Sequence, residues 1–444
     1  MTDRRRLLLV APTFAPDPVV AAVRATEWAR HLPALGWDVV VATRWTEREG
    51  DGDPADPDAG RPEGVVVEPV GPRTIGGLRG REPTTDVGAA SVRGGRLRVK
   101  RDLARLVVPD GAAPFWRAHR DDIAAIGDRH RVDAVLTTSP PHSLQAVGRP
   151  VADALGVPWI ADLRDPYLAD ARFRPTGLAA VTLPWARRFE RRIYAADAVV
   201  HANAEHDRVM RRLRPDRAAA MHVVTNGFPD RLLDRVAVAE RAPTVVSAGR
   251  CDPAVLPRLV EASAARGLVV HLAGPASDAT RALADRSDGR LVVHGRRPHD
   301  EVLDLIASAT VLVASLPARQ RDGLGLSSKL FEYMATGRPI LLVGPMAADR
   351  ALVDRHYAGG ARVIADPTGP DVDAALEAAL DGTLAVDPGA LAAVRSDLSR
   401  SAGARRLAAV LDAVVSPSPQ LGGVDARKRA PTPPSSPAAR GGGR

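Results

Sequence analysis

The chain has 444 residues, of which 45% are hydrophobic and 26% are charged, and its formal net charge is +8. This length accommodates two or three domains, each with a core of ordinary size. The one cysteine, Cys251, excludes an internal disulfide framework and a cysteine-rich zinc site. No apolar stretch approaches the roughly 18 residues of a membrane-spanning helix, so we expect a soluble or peripheral protein in the cytoplasm.

Half of the net charge lies in the segment 416–444, which carries +4 and is rich in Pro, Ser and Gly. This segment buries too little apolar surface to fold, and we expect a disordered tail. No nucleic-acid-binding motif accompanies the charge, so nucleic acid is not the expected partner. A second basic cluster, Arg93 to Arg101, is either a solvated run of charge or a contact for acidic lipid headgroups or phosphate at the membrane's inner face.

Apolar runs alternate with amphipathic stretches from the amino end onward. The run RLLLVAP is shorter than the roughly 7–15 apolar residues of a signal peptide, and it is predicted as the first strand. A helix ending at Gly36 and a second strand, WDVVVATR, follow. Strands that are apolar on both faces and separated by helices predict a parallel sheet covered on both sides, which we assign to residues 1–230. Its later strand candidates are DAVLTTS, PWIADL, DAVVHAN and HVVTNG.

The alternation fails between residues 47 and 114, where Gly, Pro, Asp and Arg predominate. Only VVVEPV within this stretch has the pattern of a strand. An irregular region this long is typical of a functional loop or of disorder.

A second series of strands and helices predicts another doubly wound domain at residues 231–400. Its strand candidates are TVVSAGR, LVVHLAG, RLVVHG, ATVLVASLP, RPILLVG and, as a sixth, ARVIAD. The predicted fold class is α/β, with two Rossmann-like doubly wound domains facing across a cleft. Open parallel sheets bind ligands beyond the carboxyl ends of their strands, so a ligand site is expected in this cleft.

The stretch SSKLFEYMATGRPIL, residues 327–341, follows a predicted strand and a Gly-containing loop. Its helix is expected to begin at the ligand edge of the sheet, where free N–H groups and the helix dipole attract anions. Lys329 and Glu332 share a helix face with Tyr333 and Thr336, and both charged side chains are predicted to project into the cleft.

These two charges suit a nucleotide. The Glu332 carboxylate can accept hydrogen bonds from both ribose hydroxyls, while Lys329 and the helix amides hold the diphosphate. Ser327 or Ser328 is the expected N-cap of the helix. The alternative is an exposed Lys–Glu pair, which contributes only about 0.2–0.5 kcal/mol.

The sequence resembles the two-domain nucleotide-sugar glycosyltransferases of the GT-B type, particularly the family 4 group, over about residues 5–415. The resemblance rests on KLFEYMATGRPIL, the ATVLVASLP strand before it, VVTNGFPD, SAGR and LGVPWIADLRDPY. It implies donor binding by the second domain, acceptor binding by the first, and a helix at 401–415 that crosses back to the first domain. It also implies retention of anomeric configuration, with neither a metal nor a cofactor.

On the donor side, the resemblance assigns the ribose to Glu332 and the diphosphate to cations near the loop. The candidate donor-binding residues are Gly249, Arg250, Asp322, Gly325, Ser327, Ser328, Lys329 and Glu332. Many relatives have a second Glu where this chain has Leu324, and Asp322 is close enough to substitute. The usual Lys after the Arg equivalent to Arg250 is Val255 here, so Lys329 is expected to carry the diphosphate charge.

On the acceptor side, PWIADLRDPY places Arg164 and Asp165 at the end of a strand, in the region where relatives have a His. Arg164 is expected to steady phosphate and Asp165 to orient an acceptor hydroxyl, so both join Lys329 as catalytic candidates. An internal ion pair that fixes the loop is an equal alternative. The other acceptor-side candidates are Arg24, which can contribute a cation at that edge, His142, whose alternative is a cap or surface residue, and Asn226, whose alternative is a structural turn.

The resulting prediction is transfer of a glycosyl group, of the hexosyl type, from a nucleoside-diphosphate sugar to a hydroxyl acceptor, which a lipid or a glycan can supply. Cell-surface polysaccharide, glycolipid or a secondary metabolite is the expected product class. The alternatives are an epimerase or hydrolase of the same fold and a non-catalytic nucleotide- or sugar-binding partner protein.

Overall fold

The computed structural model describes residues 4–17, 19–44, 60–71, 109–170, 177–316 and 324–415. The predicted tail, the basic cluster at Arg93 to Arg101, most of the irregular region and the candidate Asp322 lie outside these residues.

The first half forms a parallel seven-stranded sheet with the order β3-β2-β1-β4-β5-β6-β7. The inner strands β1, β2, β4, β5 and β6 are short runs of mostly apolar residues buried on both faces, as covered parallel strands require, whereas the edge strands β3 and β7 are partly exposed. The predicted strands are present, and the VVVEPV segment supplies the edge strand β3. The bounds are β1 Arg5–Ala11, β2 Trp37–Arg44, β3 Val66–Val70, β4 Ala134–Ser139, β5 Trp159–Leu163, β6 Ala198–His201 and β7 Met221–Val223.

Helices cover both faces of this sheet. They are α1 Val20–His31, α2 Ala113–Ala118, α3 Arg120–His130, α4 Gln145–Leu155, α5 Leu183–Ile193 and α6 Ala204–Leu213, with 3-10 turns at Leu32–Leu35, His142–Leu144, Gly177–Thr182 and Pro215–Ala220.

The second half forms a parallel six-stranded sheet with the order β10-β9-β8-β11-β12-β13. All six predicted strands are present, so the predicted α/β fold of two doubly wound sheets is confirmed. The bounds are β8 Thr244–Ala248, β9 Val269–Ala273, β10 Leu291–Gly295, β11 Val311–Ser315, β12 Ile340–Val343 and β13 Ala361–Ile364. The helices of this half are α7 Leu232–Val238, α8 Leu256–Ala264, α9 Asp278–Asp285, α10 His299–Ser308, α11 Lys329–Thr336, α12 Ala347–His356, α13 Asp371–Leu380 and α14 Pro388–Asp397.

The last described helix, α15 at Arg400–Val415, packs against the first sheet although it follows the second in the chain. Its residues Ala404, Leu407 and Leu411 are buried with Leu9 and Trp28 of the first half. Burial of a leucine side chain stabilises a fold by about 1.5–3 kcal/mol, so this contact ties the carboxyl-terminal helix to the first sheet. Within the described ranges, no helix has both the length and the hydropathy to cross a bilayer.

Candidate active site between the two sheets

Helix α11 begins at the carboxyl edge of the second sheet, as the sequence predicts. It starts at Lys329 and ends at Gly337, whose φ of 76° is the left-handed conformation that commonly terminates helices. The loop before it is joined to the first half of the chain. The Leu324 N–H donates to Asp170 Oδ2 at 3.2 Å, and the Asn203 side-chain amide donates to the Leu324 carbonyl at 3.2 Å. These bonds hold the ligand edges of the two sheets toward each other.

Lys329 connects α11 to the end of β8. Its Nζ lies 3.0 Å from the Ala248 carbonyl oxygen and 3.1 Å from the Arg250 carbonyl oxygen. Burial lowers the pKa of Lys329, and the nearby Cys251, Asp349 and Glu332 oppose that shift. An ammonium group has three protons to donate, and two are directed at these carbonyls. The third proton has no acceptor among the residues that the structure describes.

The Glu332 carboxylate contacts other described residues through one of its two oxygens, Oε1. Its side chain is 12% exposed, and Oε1 accepts a hydrogen bond from His299 Nε2 at 2.9 Å. The His299 Nδ1 faces Arg231 Nη2 at 3.4 Å, and because a guanidinium can only donate, Nδ1 accepts and Nε2 carries the proton. Arg400 Nη2 lies 3.9 Å from the same Oε1. The other oxygen, Oε2, accepts no hydrogen bond from any residue that the structure describes.

His299 was not predicted from the sequence. It opens helix α10, 33 residues before Glu332, and no spacing rule connects the two positions. The available signal was weak: a histidine at the first position of a helix that follows a strand of the same sheet.

Tyr333 does not share the open face with Lys329 and Glu332, and this part of the prediction is wrong. Its side chain is fully buried, and its hydroxyl accepts from the Ala248 N–H at 2.7 Å and lies 3.4 Å from the Val313 carbonyl. Burial raises the pKa of Tyr333 above its usual value. Thr336 is buried as well. Helix periodicity alone did not reveal that a phenol group reaches backbone groups of two strands.

The loop before α11 is held by a carboxylate rather than by the predicted serine caps. Ser328 occupies the N-cap position with helical φ and ψ of −62° and −31°, and its side chain caps nothing. A capping serine requires an extended backbone, which explains the failure. Instead, Asp349 Oδ1 accepts from the Ser327 N–H at 2.8 Å, and Oδ2 accepts from the Met346 N–H at 3.2 Å. Burial raises the pKa of Asp349 to about 6.

Gly249 and Arg250 follow β8 at the same edge. The Gly249 N–H donates to the Ala273 carbonyl at 2.7 Å, and a Cβ atom on Gly274 would lie 2.2 Å from the Gly249 carbonyl oxygen. Only glycine at 274 allows the ends of β8 and β9 to approach this closely. The space beside Gly249 itself is open, and the Arg250 side chain is exposed. Gly325 is buried in the loop before α11.

Val255 is fully buried in an apolar cluster with Leu256 and Leu259. A cation at this position would have to leave that core to reach the sheet edge, where Lys329 and the exposed Arg250 lie.

Arg24 lies inside the first half of the chain, and its acceptor-side role stays a prediction. It is 6% exposed, and it donates to both oxygens of the fully buried Asp162 at 3.1 and 2.8 Å. It also donates to the Val224 carbonyl at 2.7 Å and to Asn226 Oδ1 at 3.1 Å. A buried carboxylate requires a partner of this kind, and the pair uses both Arg24 and Asn226 for the fold.

Arg164 is also engaged internally. It donates to the backbone carbonyls of Ser139 at 3.0 Å, Pro140 at 2.9 Å and Ala21 at 2.5 Å. Burial lowers the pKa of Arg164, and Asp162 and Asp165 oppose that shift. These carbonyl bonds use three of the five guanidinium N–H groups, and the phosphate contact of Arg164 stays a prediction.

His142 is 3% exposed, and its Nε2 donates to the Asp165 carbonyl at 3.1 Å. Burial lowers the pKa of His142, which favours the neutral ring. The Asp165 side chain is half-buried at this edge and remains the acceptor-side candidate. Groups of three or more His, Cys, Asp or Glu side chains that could hold a metal ion are absent from the described ranges.

Residues 242–381 match the family model described as Glycosyl transferases group 1. No curated protein sequence matches the chain.

Solved glycosyltransferase structures share the overall fold. A glycosyltransferase from Rickettsia africae has a TM-score of 0.60 at 12% identity, with 94% of this chain and 100% of that chain covered. Anabaena HepE in complex with UDP-glucose has a TM-score of 0.56 at 15% identity, covering 92% and 99%. Sucrose-phosphate synthase from Thermosynechococcus elongatus has a TM-score of 0.53 at 15% identity, covering 93% and 96%. Residues 242–381 therefore carry a glycosyl transferases group 1 domain, and the chain as a whole has the GT-B fold of these solved structures.

Proposed function

We propose that this enzyme transfers a hexosyl group from a nucleoside-diphosphate sugar to a hydroxyl acceptor in the cytoplasm. The observation that carries the proposal is the pairing of Lys329 and Glu332 on one helix turn at the sheet edge. One ammonium proton of Lys329 and the Oε2 atom of Glu332 have no hydrogen-bond partner among the residues that the structure describes. In this proposal, Glu332 Oε2 accepts from the ribose, and Lys329 contacts the diphosphate.

The leaving diphosphate would be stabilised without a metal or a cofactor. Lys329, the exposed Arg250 and the N–H groups at the start of α11 supply positive potential where negative charge develops. The bond from the anomeric carbon to the diphosphate oxygen breaks, and the acceptor oxygen bonds to that carbon. The acceptor proton passes to the departing diphosphate. We propose that configuration is retained, as the family 4 resemblance implies.

Asp165 would orient the acceptor hydroxyl from the opposite edge, since its half-buried carboxylate lies where β5 ends. Anabaena HepE, solved with UDP-glucose, has the same fold, which supports a uridine nucleotide as the first donor to test. Cell-surface polysaccharide, glycolipid or a secondary metabolite is the product class we propose.

Equilibrium binding of UDP, its 2′-deoxy analogue and uridine tests the donor assignment. Lys329→Met keeps the apolar stem and removes the charge, so it should weaken UDP about tenfold or more while changing uridine little. Glu332→Gln should weaken UDP about tenfold, with a much smaller effect on the 2′-deoxy analogue. ADP and GDP are included so that a different base preference is detected.

If both folded variants bind every nucleoside diphosphate with the affinity of the wild type, the proposed donor site is rejected. Sugar turnover with simple hydroxyl acceptors separates transfer from hydrolysis, because only transfer yields a glycosylated product. Binding without any turnover over a broad acceptor panel would favour the non-catalytic alternative.

A further inference from the structure

Helix α5 carries an exposed tryptophan, whereas the other tryptophans that the structure describes are buried. Trp185 is 60% exposed and Val181, in the turn before the helix, is 63% exposed. The other four tryptophans that the structure describes are at most 3% exposed. On the opposite side of the helix, Ala186, Phe189 and Ile193 pack into the first core. The exposed Trp185 therefore has no role in that core.

Four arginines surround this apolar pair, and their charge is not neutralised locally. Arg187, Arg188, Arg191 and Arg192 are exposed, and none of them forms an ion pair or hydrogen bond with another described residue. Most other arginines that the structure describes have a carboxylate or a carbonyl as partner, as Arg24 and Arg211 do. The lone acid of the helix, Glu190, points inward, where it accepts from the Leu168 N–H at 3.1 Å. We call Val181, Trp185 and these four arginines the α5 patch.

The α5 patch is concave as well as basic. Val181, Trp185, Arg188 and Arg192, together with Arg117 of α2, line a groove of about 630 Å³. Thr182 and Phe189 are buried at its base. Helix α5 follows β5, so its first turn lies toward the carboxyl edge of the first sheet, the edge that carries Asp165.

We propose that the α5 patch binds the surface of an anionic phospholipid bilayer. Tryptophan is favoured at membrane–water interfaces, and arginine forms bidentate hydrogen bonds with phosphate. An amphipathic helix with a basic polar face lies in the plane of such a surface, where the apolar residues enter the headgroup region. Nucleic acid would use the arginines and could stack on Trp185, but it has no apolar environment for Val181. The lipid surface accounts for all members of the α5 patch.

Vesicle flotation of the full-length protein tests this proposal without any sugar donor or acceptor. Vesicles of phosphatidylcholine with phosphatidylglycerol should bind the protein, and vesicles of phosphatidylcholine alone should not. Arg188→Glu with Arg192→Glu should lower the partition coefficient about tenfold or more, because each basic residue near an anionic surface strengthens binding severalfold. Trp185→Ala should lower it about threefold to tenfold and remove the blue shift of tryptophan emission on binding.

A matched control is Arg286→Glu with Arg290→Glu. These exposed arginines of the second half give the same change of net charge away from the α5 patch, and binding should fall by less than about twofold. The proposal is overturned if this control loses as much vesicle binding as Arg188→Glu/Arg192→Glu, if the protein binds both vesicle types equally, or if Arg188→Glu/Arg192→Glu binds like the wild type.

Retention of a single-stranded RNA homopolymer at salt concentrations that release the protein from vesicles would overturn the proposal in favour of nucleic acid. Circular dichroism of each variant confirms that it is folded.

Discussion

The carboxyl edges of the two sheets use their charged residues differently. At the second sheet, Lys329 donates to two carbonyls, Glu332 accepts through one oxygen, and the exposed Arg250 follows β8. At the first sheet, Arg24 and Arg164 direct their guanidinium groups at a buried carboxylate and at backbone carbonyls. In our proposal, the charged residues of the second edge contact the ligand, whereas Arg24 holds a buried carboxylate within the fold.

The exposure of a cation, rather than its charge or its position near a strand end, distinguishes Arg250, which is exposed, from Arg24, which is 6% exposed. A charged group at a strand end needs a partner when it is buried, and a nearby opposite charge or carbonyl supplies one. Removing individual groups from each edge tests this difference.

The largest effect is expected for Arg24→Ala. This change leaves the fully buried Asp162 without its bidentate partner, so the free energy of unfolding of the first half should fall by about 3–5 kcal/mol. Urea denaturation followed by tryptophan fluorescence measures this loss. UDP affinity of the folded fraction should stay within about twofold of wild type. Normal stability together with lost acceptor turnover would instead assign Arg24 to the acceptor site.

The sequence predicts the sheets well because strands buried on both faces are continuous apolar runs. Leu7 to Val10 of β1 and Ile340 to Val343 of β12 are fully or almost fully buried and are recognisable without any long-range information. The position of α11 follows from the same pattern, since a Gly-containing loop separates it from a strand and Gly337 ends it.

Partners from distant segments were not predictable in this way. Asp349 holds the Ser327 N–H from 22 residues away, and Tyr333 receives the Ala248 N–H from 85 residues away. No helical or strand period connects these positions, so only the folded chain reveals them. The same reason explains Arg24: its acid, Asp162, is 138 residues distant.

The second prediction concerns the pH dependence of stability at the donor edge. Burial raises the pKa of Asp349 from 3.8 to about 6, so the folded state holds this proton more tightly than the unfolded state. The contribution of Asp349 to stability should therefore be most favourable below pH 3.8 and fall as pH rises through about 6, by up to about 3 kcal/mol. The free energy of unfolding of wild type minus that of Asp349→Asn, measured from pH 4 to pH 7, isolates this contribution. A difference that is flat or rises over that range would contradict it.

The third prediction concerns the buried phenol that the sequence assigned to the open face. Tyr333→Phe leaves the Ala248 N–H without an acceptor, which should destabilise the second half by about 1–3 kcal/mol in urea denaturation. The matched control is Tyr357→Phe, which removes a bond donated to the Arg338 carbonyl and should cost less, because a carbonyl tolerates the loss better than an N–H. An equal loss of unfolding free energy in the two variants, or no loss in Tyr333→Phe, would show that the Tyr333 hydroxyl does not stabilise β8.

The smallest effect should come from His299, which acts on the ligand only through Glu332. His299→Ala removes the hydrogen bond to Glu332 Oε1 and releases the carboxylate from its fixed orientation, so UDP affinity should fall about threefold to tenfold. His299→Gln can still donate to Oε1 and should recover part of the loss. The affinity for 2′-deoxy-UDP should change less in either variant, because this analogue lacks one of the two hydroxyls from which the carboxylate can accept. A loss of equal size for UDP and 2′-deoxy-UDP would mean that His299 supports the fold of the loop rather than the orientation of Glu332.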